Sequence, residues 1–229
     1  MTSINYFIKP KITIKKKTKI IASLKDKINI YYYENLIEDK IALDYFSIFE
    51  KNLEYNPAEE SKVKVWNKEH YIPRKQVAYG HPSTYYSFAG NTIYAKNWFN
   101  DNIVCNIIRK ILIRVELFTG YKFNFVLINR YNDGTDNVGF HKDSESTIDI
   151  YKPIVGISLG ATRLVKFKNI PNKVLPKETS NKQEFSLNNG SIFGMNYPTN
   201  LYWKHSIPKV STNKCNSPRI SLTFRVLNI

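Results

Sequence analysis

The chain has 229 residues, 42% of them hydrophobic and 23% charged, and a formal net charge of +15. That length and balance suit a water-soluble globular chain with a sizeable core, and no run of about 18 apolar residues marks a membrane span. The N-terminal MTSINYFIKP lacks the apolar core of a secretory signal, and Cys105 and Cys215 form no CxxC pair, so the expectation is an intracellular protein without a disulfide framework.

Residues 1–27 hold eight lysines against one acid, Asp26, and supply +7 of the net charge. Residues 1–30 therefore read as a basic N-terminal extension, and residues 31–229 as a single domain. The other +8 is spread over that domain, which makes a polyanionic partner plausible. From Leu36 to about Leu53, Ile37, Ile41, Tyr45, Ile48 and Phe49 recur at helical spacing. Residues 57–98 are mixed, aromatic and turn-rich. A second helix is predicted from about Phe99 to Phe118, with Ile103, Ile107, Ile108, Ile111, Leu112 and Val115 on one side and Gly120 as its terminator. After Gly120 come short strand-like runs at 121–131, 153–159, 163–168, 184–187, 191–195, 201–207 and 219–227. Asn132-Asp133-Gly134 and Asn188-Asn189-Gly190 mark turns between them. The expected fold class is α+β: a double-sheet or jelly-roll core over residues 121–229, with the two helices outside one sheet.

His141-Lys142-Asp143 is the strongest local signal. In an extended segment, residues i and i+2 project to the same side, so an imidazole and a carboxylate can reach one metal. A second imidazole completes a two-His, one-carboxylate set of the kind that binds non-haem iron with positions left open. The chain has four histidines. His205, in the strand-like run 201–207, is the best partner, while His70 and His81 read as polar loop residues. Along 121–131, Phe123, Phe125 and Leu127 share a face that continues into Asn129 and Tyr131, as in a strand lining a polar pocket or one that frays at its end. Along 219–227, Ile220, Leu222, Phe224 and Val226 oppose Arg219, Ser221, Thr223 and Arg225. That polar face either meets solvent or grips an anion, for which arginine is suited.

The segment FNFVLINRYNDGTDNVGFHKDSE (123–145) resembles the signature of the AlkB family. So do HSIP (205–208), PRISLTFR (218–225), IPRKQVAYG (72–80) and YSFAG (86–90), in order, from about residue 60 to the end. The resemblance is nearest the branch acting on alkylated double-stranded DNA. It implies a double-stranded β-helix core with flanking N-terminal helices and a nucleotide-recognition lid and finger over 57–98. It implies Fe(II), 2-oxoglutarate and dioxygen, with His141, Asp143 and His205 as iron ligands and Asn129, Tyr131, Arg219, Thr223 and Arg225 around 2-oxoglutarate. Glu145 takes the position that meets the exocyclic amino group of the damaged base, beside Ser144, which stands where that branch has an acid. Tyr86, Ser87 and Phe88 match the lid, and Val65-Trp66-Asn67-Lys68 matches a finger whose Trp66 wedges into a duplex. Arg74 matches a residue contacting the backbone or the opposite strand.

The implied activity is oxidative demethylation of 1-methyladenine and 3-methylcytosine in DNA. Formaldehyde is released, and 2-oxoglutarate becomes succinate and CO2. The implied setting is a monomer acting on alkylated double-stranded DNA in the nucleus or another DNA-containing compartment, with no membrane involved. An RNA demethylase of the same family and a catalytically silent nucleic-acid-binding module are the alternatives.

Overall fold

The structure, a computed structural model, describes residues 18–65, 68–88, 91–175 and 183–228. Strands β1 (Lys19–Ser23) and β2 (Ile28–Tyr33) open the described chain, followed by helix α1 (Asp39–Asn52). Six short strands cross the segment read as mixed and turn-rich: β3 (Lys62–Val65), β4 (Lys68–Tyr71), β5 (Lys75–Gly80), β6 (Tyr85–Phe88), β7 (Asn91–Tyr94) and β8 (Lys96–Asn97). After helix α2 (Ile103–Thr119) come β9 (Phe125–Tyr131), β10 (Val138–His141), β11 (Ile154–Gly160), β12 (Arg163–Asn169), β13 (Gln183–Leu187) and β14 (Ile192–Met195). A short helix α3 (Thr199–Tyr202) leads into β15 (Trp203–Ile207), and β16 (Arg219–Arg225) closes the core. The large sheet has the order β1-β2-β14-β11-β16-β9-β5-β8, and the small sheet β10-β15-β12-β13 faces it. This is the double-sheet core expected from the sequence.

The large sheet is buried on both faces. Its outer face carries Val126, Ile128, Val155, Ile157, Ile220, Leu222 and Phe224 against α1 and α2. On α2, Val104, Ile107, Ile108, Ile111, Val115 and Phe118 recur every three or four residues and all turn inward. The helix starts later than the pattern predicts, because the Asn102 side chain caps it by accepting from the Cys105 N–H at 2.9 Å. Ile103 therefore sits before the first buried turn and is half exposed. Gly120 closes α2 at φ 74°, a left-handed conformation that glycine adopts without a Cβ clash. On α1, Ala42 and Phe49 are buried, and Ile41, Tyr45 and Ile48 lie partly buried against the same cluster.

Two smaller clusters fill the inner side. Ile28, Ile30, Phe167, Phe185, Phe193 and Trp203 pack between the sheets at one end. Ala78, Tyr86, Ile93, Phe125, Leu127 and Leu227 pack under the β6–β7 hairpin at the other. The assignment to an extension is corrected for residues 18–30, since β1 and β2 are strands of the large sheet, while residues 1–17 lie outside the described residues. In β2, Ile28, Ile30 and Tyr32 face the inner cluster while Tyr31 faces the helices. A strand buried on both faces shows no polar alternation, which hid it among the lysines.

Candidate active site

The gap between the two inner clusters is a cavity of about 610 Å3. His141, Asp143 and His205 lie together in its wall, and one ligand atom from each lies within 4.8 Å of the others. The pairing of β10 with β15 sets His141 directly opposite His205, with ring centroids 4.3 Å apart. The His141 Nδ1 lies 2.9 Å from the Gly139 carbonyl. A proton on Nδ1 satisfies that carbonyl and leaves Nε2 free on the side of Asp143 Oδ1, 3.4 Å away. Phe167 stacks beside His205 at 5.9 Å and 28°.

Asp143 is 3% exposed. Burial alone raises a carboxylate's pKa. The Arg225 guanidinium, with Nη2 donating to Oδ2 at 2.9 Å, and the two imidazoles overcome it and hold Asp143 well below the usual range. Burial pushes His205 the other way, to about 3, with His141 adding to the shift, so His205 is neutral. Burial also opposes the charged form of His141, but the hydrogen bond and charge of Asp143 raise its pKa overall. One anion and two imidazoles therefore converge on one point, a donor set suited to a divalent metal.

The two arginines of β16 differ in their partners. Arg225 is paired with Asp143 and lies over the Tyr86 ring at 4.9 Å. Arg219 donates from Nε to Ser158 Oγ at 2.8 Å and lies over the Tyr131 ring at 5.3 Å. Among the described residues no carboxylate lies within 4.0 Å of Arg219. Its Nη1 is buried without a partner. Burial lowers its pKa to about 10, opposed by Tyr131 and assisted by Arg163. A buried cation with an unsatisfied donor is costly, and an anion entering the cavity satisfies both its charge and its N–H. Thr223 and Ser221 line the wall between the two arginines.

Asn129 faces the same space, with its Oδ1 accepting from Arg74 Nε at 2.9 Å and Gln76 Nε2 at 2.7 Å. Arg74, expected to contact the nucleic-acid backbone or the opposite strand, also donates to the Asn137 carbonyl and lines the cavity. At the other end of the cavity, Tyr86 and Phe88 stack at 5.5 Å and 29°, and Glu145 presents a buried, unpaired Oε2. Burial, then the nearby Asp143 charge, raises the pKa of Glu145. Ser144 lines the exposed rim. Ser87 is set apart from these, since its hydroxyl bonds Thr92 across the hairpin at 2.8 Å and it does not line the cavity. Val65 and Lys68 pair at the end of the β3–β4 hairpin. The wedge Trp66 and its neighbour Asn67 lie outside the described residues.

Phe123 is corrected. It packs with the outer cluster rather than continuing the inward face, because β9 begins only at Phe125. Sequence reasoning also missed Asn200, which accepts from the Asp143 N–H at 3.1 Å and donates to the Asp143 carbonyl. It missed Arg163, which is buried and donates to the carbonyls of Asp133, Gly134, Asp136 and Pro208. Both act on the main chain of distant loops, and neither sits in a local pattern that spacing could expose.

A family model described as the 2OG-Fe(II) oxygenase superfamily matches residues 29–225. The chain belongs to that superfamily. Its members work with iron(II), 2-oxoglutarate and dioxygen. The chain is 38% identical over 185 residues to the DNA oxidative demethylase ALKBH2 of Bos taurus, covering 80% of this chain and 63% of that protein's length. The human protein of the same name is 37% identical over 183 residues, with 80% and 67% covered. Human alpha-ketoglutarate-dependent dioxygenase alkB homolog 3 is 30% identical over 126 residues, covering 53% of this chain and 42% of the relative.

The residues present fit the superfamily's cofactor and co-substrate. His141, Asp143 and His205 could hold the iron, as two imidazoles and an ionised carboxylate within one shell. The unpaired Nη1 of buried Arg219 could take a carboxylate of 2-oxoglutarate, with Tyr131 and Asn129 beside it.

Proposed function

We propose that this chain oxidatively demethylates N-alkylated bases, 1-methyladenine and 3-methylcytosine, in DNA, with double-stranded DNA as its substrate. The observation that carries the reading is one cavity with three kinds of wall: the His141–Asp143–His205 cluster in the middle, the counter-ion-free Arg219 at one end, and the Tyr86–Phe88–Glu145 group at the other. The likeness to proteins named as DNA oxidative demethylases supports the reading.

When bound, iron(II) and 2-oxoglutarate supply an oxidant made from dioxygen, with succinate and CO2 as by-products and the oxidised methyl group leaving as formaldehyde. The protein's own work is position and charge. Arg225 holds Asp143 as an anion for the metal. Arg219 anchors the far carboxylate of 2-oxoglutarate. Tyr86 and Phe88 offer a ring surface to an extruded base. Glu145 sets a carboxylate beside a base made cationic by methylation, which favours that base over its neutral parent. A monomer acting in the nucleus or another DNA-containing compartment completes the proposal. No described helix is long and apolar enough to cross a membrane.

The test is demethylation of matched single- and double-stranded DNA and RNA oligonucleotides carrying one 1-methyladenine, read by mass spectrometry. Restoration of adenine in duplex DNA is expected. Restoration in RNA alone makes the chain an RNA demethylase, and none in any strand overturns the reading.

A further inference from the structure

The outer face of the small sheet carries a pattern that neither the iron nor the 2-oxoglutarate site uses. In β15 and β12, His205 and Phe167 pair and turn inward, so their neighbours Lys204 and Lys168 turn outward, and these two lysines are directly opposite each other in the register. Like charges facing across a strand pair destabilise a sheet. Among the described residues no carboxylate lies within 4.0 Å of either lysine, whereas the adjacent Lys166 is paired with Glu184 at 3.5 Å. On the same side, Phe140 is 41% exposed, and Lys168 Nζ lies 4.5 Å from its ring centroid. Phe140 also belongs to the rim of the cavity, beside His141 and Lys142. Next to it Gly139 leaves open space on the surface.

We infer that Phe140, Lys168 and Lys204 form a track for the nucleotide that flanks the target base, with its base stacked on Phe140 and its phosphate between the two lysines. The inference rests on the proposed nucleic-acid substrate and deepens it. Two unpaired cations and an exposed ring match the chemistry of a nucleic-acid strand, where phosphate neutralises lysine and any base can stack on an aromatic face. A phosphate also relieves the Lys168–Lys204 repulsion that the fold otherwise bears. Continuity with the cavity rim places the track where the strand must run if its target base enters beside Glu145. The flanking base reaches Phe140 only when it has left its own stack, so the track favours a locally opened strand over an intact helix.

The experiment compares wild type, Phe140→Ala, Phe140→Trp and the double variant Lys168→Ala/Lys204→Ala. Demethylation is measured on a methylated single strand of about ten nucleotides and on a methylated mononucleotide, which has no flanking nucleotide, and binding of an unmodified strand by fluorescence anisotropy across a salt series. The ratio of kcat/KM for the long over the short substrate should fall by roughly five- to a hundred-fold in Phe140→Ala, the range that stacking of one base commands. Phe140→Trp should keep the wild-type ratio. The double lysine variant should flatten the salt dependence of binding by about 0.7 in log–log slope, as for one single-strand phosphate. Its thermal midpoint should equal or exceed wild type, because a repulsion is removed. Wild-type ratios and slopes in all variants, with demethylation intact, overturn the track and leave the proposed function standing. Altered anisotropy in a protein that demethylates nothing keeps the track and overturns the proposed function.

Discussion

At the scale of single residues, the partners of Asp143 hold the site together. Asn200 grips both main-chain polar groups of Asp143, while Arg225 holds its carboxylate. Partners that orient a ligand typically matter 10–100-fold for metal affinity. Asn200→Ala should therefore weaken iron binding by roughly that factor while sparing 2-oxoglutarate binding, measured by titration of the apoprotein with Fe(II) and, as a redox-inert stand-in, Mn(II). The two arginines should separate in the same assay. Arg219→Ala removes a buried cation whose Nη1 has no partner and should raise the 2-oxoglutarate requirement at least tenfold by calorimetry, with metal affinity held. Arg225→Ala strips the pair from a buried carboxylate and should weaken metal and co-substrate together. Equal behaviour of the two variants would show that the cavity does not distinguish its ends. Sequence alone placed both arginines on one strand face, but a strand pattern cannot say which of two like charges already has a partner.

Among the elements, the most informative joint is between α1 and β9. Glu50 accepts from Arg130 Nε and Nη2 at 2.7 and 2.8 Å, tying the helix to the outer face of the strand whose inner face carries Asn129 and Tyr131. Arg130 is raised above its ordinary pKa, first by the hydrogen bond to Glu50. Both side chains keep some solvent contact, so solvent screening keeps the bidentate pair near about 1 kcal/mol. Glu50→Ala should lower the unfolding midpoint by a few degrees, and Glu50→Gln by less, in a thermal melt monitored by circular dichroism. Helices α1 and α2 and the strands β9 and β11 to β16 were legible because each shows an amphipathic period or an apolar run bounded by turns. The strands β3 to β8 were not, since no apolar run or alternation bounded by turns marks them in this mixed, aromatic stretch. β2 was hidden because two buried faces erase alternation.

Across the whole molecule, the basic segment and the fold divide differently from the boundary read in the sequence. β1 and β2 belong to the large sheet, so removal of residues 1–27 would take a strand with it. Removal of residues 1–17 leaves both strands and takes five of the lysines. That shorter deletion should keep the melting midpoint and lower the slope of log affinity against log salt on duplex DNA, by about 0.9 for each phosphate that is no longer neutralised. An unchanged slope would confine nucleic-acid binding to residues 18–229. The His141–Asp143–His205 cluster was the most legible feature, because a metal-binding set restricts the residue types to imidazole and carboxylate and the i, i+2 spacing of His141 and Asp143 at the end of a strand marks them in the sequence. The loops clamped by Asn200 and Arg163 were invisible, since main-chain hydrogen bonds leave no mark on spacing.

If the His141–Asp143–His205 cluster and Arg219 serve one oxidative reaction on a methylated base, its products must appear in fixed proportion. The most direct measurement counts products: formaldehyde, succinate and restored adenine from a 1-methyladenine duplex, with Fe(II), 2-oxoglutarate and dioxygen supplied, for wild type and Asp143→Ala. Equal amounts of formaldehyde and restored adenine, at least as much succinate, and none of the three from a folded Asp143→Ala protein are expected. Restored adenine without formaldehyde, or full turnover by Asp143→Ala, would contradict that reading.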